Sequence, residues 1–281
     1  MSDLDQFYTR PDLAEVYVDQ VIGRWHDPDV LFVEPSAGTG AFVRPLAKAG
    51  RKVRALDIDP RSPDMRRMDF LVSGQADVFE GTHSAIVTIG NPPFGRNAGL
   101  AVGFFNHAAR YSDEIAFIVP RTFRKMSLQK RLHGSFHLSE DQDVEHQAFI
   151  HRGQPHDVPC AWQIWTRRPM ARPMVETPSV GHLIEYTKPH EAGFAMRRVG
   201  FHAGRIITTG LPSLSRTTHY FMRELADGVI DALCGVTWSD IAGQTAGVRS
   251  LSKAEIAFKL NEVYRARAFR EPDARQDISK T

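Results

Sequence analysis

The stretch VLFVEPSAGTG, residues 30–40, decides the fold. A short, continuous apolar run that stops at turn-forming residues is the pattern of a strand buried on both faces, as in a parallel sheet. Gly38 and Gly40 then allow a sharp turn and a close backbone approach to a ligand. Residues 40–49 read as the helix that follows. Strand, glycine turn and helix make the first βα unit of an α/β fold. The turn lacks the glycine spacing of a nicotinamide-dinucleotide fingerprint, and Glu34 suits a ligand carrying a positive ammonium group. A second strand is predicted over 53–58. It ends in LDID, with Asp57 about 20 residues past the glycine turn, where acids that bind ribose hydroxyls sit in such folds.

Working outward, strands are predicted over 30–34, 85–89 and 115–119, with an amphipathic helix over 11–24 and a crossover helix over 98–110. Residues 135–139 and 159–166 are expected to pair antiparallel as the last strands, joined by an irregular segment. A proline-rich run, RRPMARPMVETPS (167–179), reads as a linker, so the expected domains are 1–168 and 169–281. In the second, short strands over 194–199 and 205–208 suggest a hairpin. Residues 251–269 suggest a terminal helix capped by Ser252. The expected fold class is α/β with a mainly parallel sheet and an antiparallel last strand, plus a smaller C-terminal α+β region.

The chain of 281 residues is 42% hydrophobic and 24% charged, ordinary values for a globular protein. No apolar run approaches the ~20 residues that would span a membrane, and the N-terminus lacks a signal-peptide pattern. An intracellular, cytoplasmic protein without a membrane partner is expected. Only Cys160 and Cys234 are present, which excludes a disulfide scaffold and a four-thiolate zinc site. His151, His156 and Cys160 lie close in sequence but read as non-ligating, and no metal is expected.

The formal net charge is +2, unevenly placed. Residues 115–139 contain Arg121, Arg124, Lys125, Lys130 and Arg131 and no acid. Residues 192–223 contain Arg197, Arg198, Arg205, Arg216 and Arg223 and again no acid. Such runs are usually solvated faces, but two of them suit a polyanionic partner.

The remaining motif is AIVTIGNPPFGRNAG, 85–99. Two prolines remove backbone donors and fix φ, so Asn91-Pro92-Pro93-Phe94 can neither extend the strand nor begin a regular helix. It makes a stiff platform offering carbonyl acceptors beside one aromatic face. With EPSAGTG and DID, NPPF resembles the motifs of class I S-adenosylmethionine-dependent amino-methyltransferases. DQFYTR (5–10) is similar to the N-terminal cofactor motif of adenine-N6 DNA methyltransferases of the γ motif order. The likeness covers roughly 5–168.

That resemblance implies S-adenosyl-L-methionine as cofactor. It implies Phe7, Tyr8 and Thr9 around the methionine moiety and Glu34, Pro35, Ser36, Ala37, Gly38 and Gly40 as the first cofactor motif. It places Asp57, with Ile58 beside it, on the ribose, Asp59 being the rival. Asp69 would meet the adenine amine with Phe70 packed nearby; a helix cap is the other reading of Asp69. Asn91, Pro92, Pro93 and Phe94 become the catalytic motif, and Asn91 also borders the cofactor. Phe149 is a candidate second aromatic on the target base, core packing being the alternative. Arg121, Arg124, Arg197 and Arg198 would contact the nucleic acid. The implied activity is methylation of the adenine N6 amine in DNA. RNA adenine methylation, and a non-catalytic nucleic-acid-binding module with a decayed fold, remain open.

Overall fold

The structure, a computed structural model, describes residues 7–245 and 247–268. Asp5 and Gln6 of DQFYTR and the expected helix end at Phe269 lie outside them. The chain divides into two compact units, Met1–Met174 and Val175–Thr281.

In the first unit the seven-stranded sheet comprises β1 (Leu31–Glu34), β2 (Lys52–Asp57), β3 (Arg66–Arg67), β4 (Ile86–Gly90), β5 (Glu114–Pro120), β6 (Phe136–Asp143) and β7 (Cys160–Arg167). Their spatial order is β3-β2-β1-β4-β5-β7-β6. β1, β2, β3, β4 and β5 pair in parallel, and β7 runs antiparallel to both β5 and β6. This is a Rossmann-like, mainly parallel sheet with its one reversed strand between β5 and β6, as the apolar runs and the final strand pair predict.

Helices cover both faces. α1 (Pro11–Ile22) presents Leu13, Tyr17, Val18 and Val21 to a core containing Phe32, Val87, Ile118 and Trp162. α2 (Val43–Lys48) adds Leu46 to the same face. α3 (Gly99–Ala108) packs Ala101, Val102 and Phe105 against Val33, Phe117 and Trp165 on the other. β5 shows why its sequence is continuously apolar. Ile115, Phe117 and Val119 enter one core, and Ala116 and Ile118 the other. α2 begins at Val43 rather than at Gly40 because 40–42 form a turn.

Two departures from expectation matter for the site. The segment before β7 is not irregular throughout. Phe149–His151 and Gln154–His156 form a hairpin, and Tyr8–Thr9 pairs with its first strand. The proline-rich run also begins inside the first unit. The Arg172 guanidinium donates to the carbonyls of Gln129 (2.9 Å) and Phe136 and lies 5.1 Å from the Trp165 ring. The division therefore falls after Met174, not after Arg168.

The second unit has its own core and an antiparallel sheet of β8 (Ile184–Tyr186), β9 (Phe194–Arg197), β10 (Ile206–Ile207) and β11 (His219–Glu224), in the order β8-β11-β9-β10. β9 and β10 are the expected hairpin. α4 (Val229–Cys234), α5 (Trp238–Ala242) and α6 (Lys253–Ala268) follow. Ser252 caps α6 reciprocally: its hydroxyl accepts the Glu255 N–H at 3.2 Å, and its N–H donates to the Glu255 carboxylate at 2.7 Å. No described helix is long and apolar enough to cross a membrane.

Glu114, at the start of β5, is buried to 2% side-chain exposure. It accepts from Arg24 (2.8 Å), the Trp25 indole (2.9 Å) and Thr166 (3.2 Å), tying the end of α1 to two central strands. Glu114→Ala would strand these donors. The expected loss is about 3 kcal/mol, the low end for a broken buried pair because Arg24 is partly exposed. Urea denaturation of the variant checks this figure.

Candidate active site

At the carboxyl ends of β1, β2 and β4 the loops enclose a cavity of about 300 Å³. Open α/β sheets bind their ligands at this edge. Phe7, Tyr8, Pro35, Ser36, Gly38, Asp57, Ile58, Asp69, Phe70 and Asn91 to Phe94 line it together. Residues from five separated sequence motifs are thus brought to one surface. Sequence reading missed Arg61, Leu71, Leu100 and Phe104. Leu100 and Phe104 carry a legible signal: their i, i+4 spacing puts them on one face of α3.

The glycine turn is shaped by its neighbours. Gly38 has φ +52°, and a Cβ there would lie 3.0 Å from the Tyr8 ring. Its N–H donates to Asp57 Oδ2 at 2.7 Å, and Asp57 Oδ1 accepts the Asp59 N–H at 2.8 Å. The Asp57 carboxylate is thereby oriented at the cavity wall with a lone pair on each oxygen still available. Asp59 is instead paired with Arg61 at 3.0 Å. Asp69 caps the short turn Phe70–Val72 through the Leu71 N–H at 3.0 Å, so it serves as a cap while also lining the cavity.

Asn91 is the best-defined group. Its Nδ2 donates to the Phe7 carbonyl at 2.9 Å, and its own carbonyl accepts the Ser36 hydroxyl at 3.3 Å. A backbone carbonyl can only accept, so the amide nitrogen must face Phe7 and Oδ1 must face away. Among the described residues, neither Asn91 Oδ1 nor the Pro92 carbonyl accepts a hydrogen bond. Phe94 is half-buried against both cores, and its carbonyl receives the Leu100 and Ala101 N–H groups at the start of α3. The result is two fixed, unoccupied acceptors beside an aromatic ring.

Several expected site residues lie elsewhere. Thr9 is buried in register with Phe149 and does not line the cavity. Ala37 is buried beneath the turn, and Gly40 directs the chain toward α2. Phe149 is 0% exposed in the core beside Trp162, so it has no face for a base. Arg121 and Arg124 are not free for phosphate either. Arg124 pairs with Asp141 (2.8 Å) and Asp143, and Arg121 lies 3.4 Å from Asp143. Both acids sit near the end of β6, beside the end of β5 because the two strands run parallel across β7. Arg197 and Arg198 lie in the second unit. Arg197 Nε donates to the Val199 carbonyl, and the Arg198 guanidinium lies over Tyr220. The His151 and His156 rings pack at 4.8 and 5.0 Å from Phe7.

Glu34 needs the plainest correction, because it does not reach the cavity as an ammonium partner. It is 1% exposed and accepts the Ser36 N–H at 3.2 Å. Gly90 closes over it: at φ +152°, a Cβ there would lie 2.1 Å from Glu34 Oε1. Glycine is the residue type that lets β4 pass. Burial raises the Glu34 pKa well above the ordinary carboxylate value, opposed by the Ser36 amide, with Asp57 adding to the rise.

No family model matches the chain, and no curated protein sequence matches it. Solved structures similar to it include a candidate RNA methyltransferase from Pyrococcus horikoshii (16% identity, TM-score 0.45, covering 58% of this chain and 88% of that one). Magnesium protoporphyrin IX methyltransferase from Synechocystis PCC 6803 aligns at 14% identity and TM-score 0.41, over 56% of this chain and 79% of that one. A candidate class I S-adenosylmethionine-dependent methyltransferase from Listeria monocytogenes aligns at 14% identity and TM-score 0.43. That alignment spans 62% of this chain and 65% of the other, just under two thirds of its length.

The raised pKa of Glu34 makes a signed prediction. The folded state holds this proton more tightly than the unfolded chain. Its contribution is therefore complete below about pH 4.3, the free-glutamate value, and is lost as pH rises toward the folded value. Glu34→Gln keeps the shape without the titration. The stability of Glu34→Gln minus that of wild type should grow as pH rises above the carboxylate range, measured by denaturant titration at a series of pH values. A difference independent of pH would show that Glu34 titrates normally.

Proposed function

We propose that the chain is an S-adenosyl-L-methionine-dependent methyltransferase acting on the N6 amine of adenine in DNA. The observation that carries this reading is the Asn91 amide, held by the Phe7 carbonyl so that Oδ1 and the Pro92 carbonyl remain open acceptors.

The cavity residues fit the cofactor chemically. Asp57 suits a ribose diol, because both its oxygens are held by backbone N–H groups and each retains acceptor capacity. Asp69 Oδ1 accepts the Leu71 N–H, and among the described residues no donor meets Oδ2, which suits an amine donor. Phe70, Leu100 and Phe104 supply apolar walls, and the Gly38 backbone permits close approach beside Tyr8. When bound, S-adenosyl-L-methionine supplies an electrophilic methyl group.

The chain's own contribution is to prepare the nucleophile. An exocyclic purine amine is a poor one because its lone pair is delocalised into the ring. Hydrogen bonds from the amine to Asn91 Oδ1 and the Pro92 carbonyl pull the nitrogen toward sp³ and aim the lone pair. Because Pro92 and Pro93 fix the backbone and Phe7 fixes the amide, little reorganisation is left for the reactive moment. The half-buried Phe94 ring stacks on a base turned out of its helix. This chemistry requires no covalent nucleophile, and the buried Cys160 supplies none: burial pushes its thiol pKa far up.

Asp57→Ala should weaken cofactor binding by about 1–3 kcal/mol in calorimetry, the cost of leaving hydroxyls unpaired. Asn91→Ala should retain binding while lowering turnover at least about a hundredfold, as for loss of one preorganised hydrogen-bond partner. Phe94→Tyr should keep much of the activity that Phe94→Ala loses. Digesting treated DNA and RNA to nucleosides, with identification by mass, should give N6-methyladenine from DNA. Product confined to RNA, to cytosine or to protein glutamine would overturn the substrate assignment. A folded Asn91→Ala protein with wild-type turnover would overturn the mechanism.

A further inference from the structure

The second unit holds a pocket of about 210 Å³ between the end of β8, the start of β11 and the first turn of α6. Its charge is one-sided. Lys188, Arg216 and Lys253 line it, and among the described residues none of the three has a carboxylate partner. Lys253 Nζ lies 4.0 Å from the Tyr186 ring centre, and the Arg198 guanidinium lies 4.9 Å from that of Tyr220, so a fourth cation stands behind an aromatic wall.

A second, independent observation concerns buried polar atoms. His219 lines the pocket at 7% exposure, and among the described residues its Nε2 has no hydrogen-bond partner. The Tyr186 hydroxyl and the Thr187 hydroxyl, also in the lining, are buried without partners as well. Native interiors rarely leave such groups unpaired, and three around one small pocket mark a place where a polar ligand completes the bonding. His219 Nδ1 lies 3.1 Å from the Ser215 carbonyl and 3.0 Å from the Thr218 hydroxyl. The Ser215 carbonyl can only accept, and the Thr218 hydroxyl also donates to it at 3.3 Å, so Nδ1 carries the ring hydrogen and the pocket offers two hydroxyl donors and three cations beside the Nε2 lone pair. A compact anion with several acceptor oxygens matches that set. A carboxylate has too few oxygens to meet so many donors at once. The α6 N-terminus does not provide the site, because Ser252 and Glu255 already cap it.

We infer that this pocket binds a single phosphate group. A strand phosphodiester and a free phosphate share this chemistry, and the strand source rests on the nucleic-acid reading above. The site differs from the one the sequence suggested. Arg197 and Arg198 are engaged with Val199 and Tyr220, and the contact passes to Lys188, Arg216 and Lys253.

The test uses the full chain and the variant Lys188→Ala/Arg216→Ala, whose exposed side chains can be removed without opening the core. Calorimetry with inorganic phosphate should show saturable one-site binding in wild type and at least tenfold weaker binding in the variant. Duplex DNA binding is then measured against salt. Filling the pocket with one strand phosphate predicts that the variant's log–log slope flattens by about 0.9. A flattening of about 1.8 would mean two separate surface contacts and would overturn the shared site. Loss of phosphate binding with an unchanged salt slope supports the pocket and assigns it to free phosphate. Loss of slope alone supports it and assigns it to the strand. If neither phosphate binding nor slope differs between wild type and variant, the inference is wrong. Cofactor binding, measured on the same samples, reports separately on the methyltransferase reading.

Discussion

One hydrogen bond organises the candidate site: the Asn91 amide to the Phe7 carbonyl, 2.9 Å. It joins the chain before α1 to the loop after β4, two segments 84 residues apart. Because the acceptor is a carbonyl, the bond also settles which end of the amide faces the cavity. The segment that supplies this carbonyl needs an anchor of its own. It has one in the pairing of Tyr8–Thr9 with Phe149–His151 and in the packing of His151 and His156 on the Phe7 ring. Without that small sheet the Phe7 carbonyl would lose its anchor, and the amide could turn either way.

Much of this was legible in the sequence, for a reason visible in the packing. Parallel strands covered on both faces must be apolar at every position, so β1, β4 and β5 announce themselves as unbroken runs. Their turns carry residues with few substitutes, Gly38 under Tyr8 and Gly90 over Glu34 among them. The hairpin at 149–156 was not legible. Its strands are three residues each, rich in His and Gln, and they exist through pairing with a segment far away in sequence. β11 was missed for a related reason. Its buried apolar residues are Phe221 and Met222 alone, with His219 before them and the charged Arg223 and Glu224 after, so neither a continuous apolar run nor a clean alternation results. Phe149 shows the limit for single residues: an aromatic near a site motif reads the same whether it faces a ligand or, as here, the core.

The two acid-free basic runs separate for electrostatic reasons that composition hides. Arg124 finds Asp141 and Asp143 because β5 and β6 run parallel on either side of β7 and end at the same edge of the sheet. Charge counted along a window ignores partners delivered by topology. At salt-bridge distance a carboxylate offsets most of a guanidinium's field, whereas beyond a Debye length of about 8 Å it offsets little. In the second unit Lys188, Arg216 and Lys253 share one pocket with no carboxylate in its lining. Local pairing, rather than the number of basic residues, distinguishes a neutralised edge from a place where an anion gains.

Three of the side-chain bonds in the loops around the first cavity join separate segments of the chain. Gly38 donates to Asp57, Ser36 to the Asn91 carbonyl and Asn91 to Phe7. Each is worth only about 1 kcal/mol of net stability, so together they are small beside the buried sheet. Their larger effect is on position. A misplacement of about 1 Å at a reacting centre can cost about a hundredfold in rate, close to 3 kcal/mol of barrier, which exceeds what any one of the three bonds contributes to folding. Residues such as Ser36 and Phe7 can therefore tolerate substitution by the standard of stability and fail it by the standard of geometry. The buried carboxyl of Glu34 extends the same logic one layer down. Through the Ser36 N–H it fixes the residue whose hydroxyl reaches Asn91. A group that never touches the cavity thus controls how far the acceptors above it can drift.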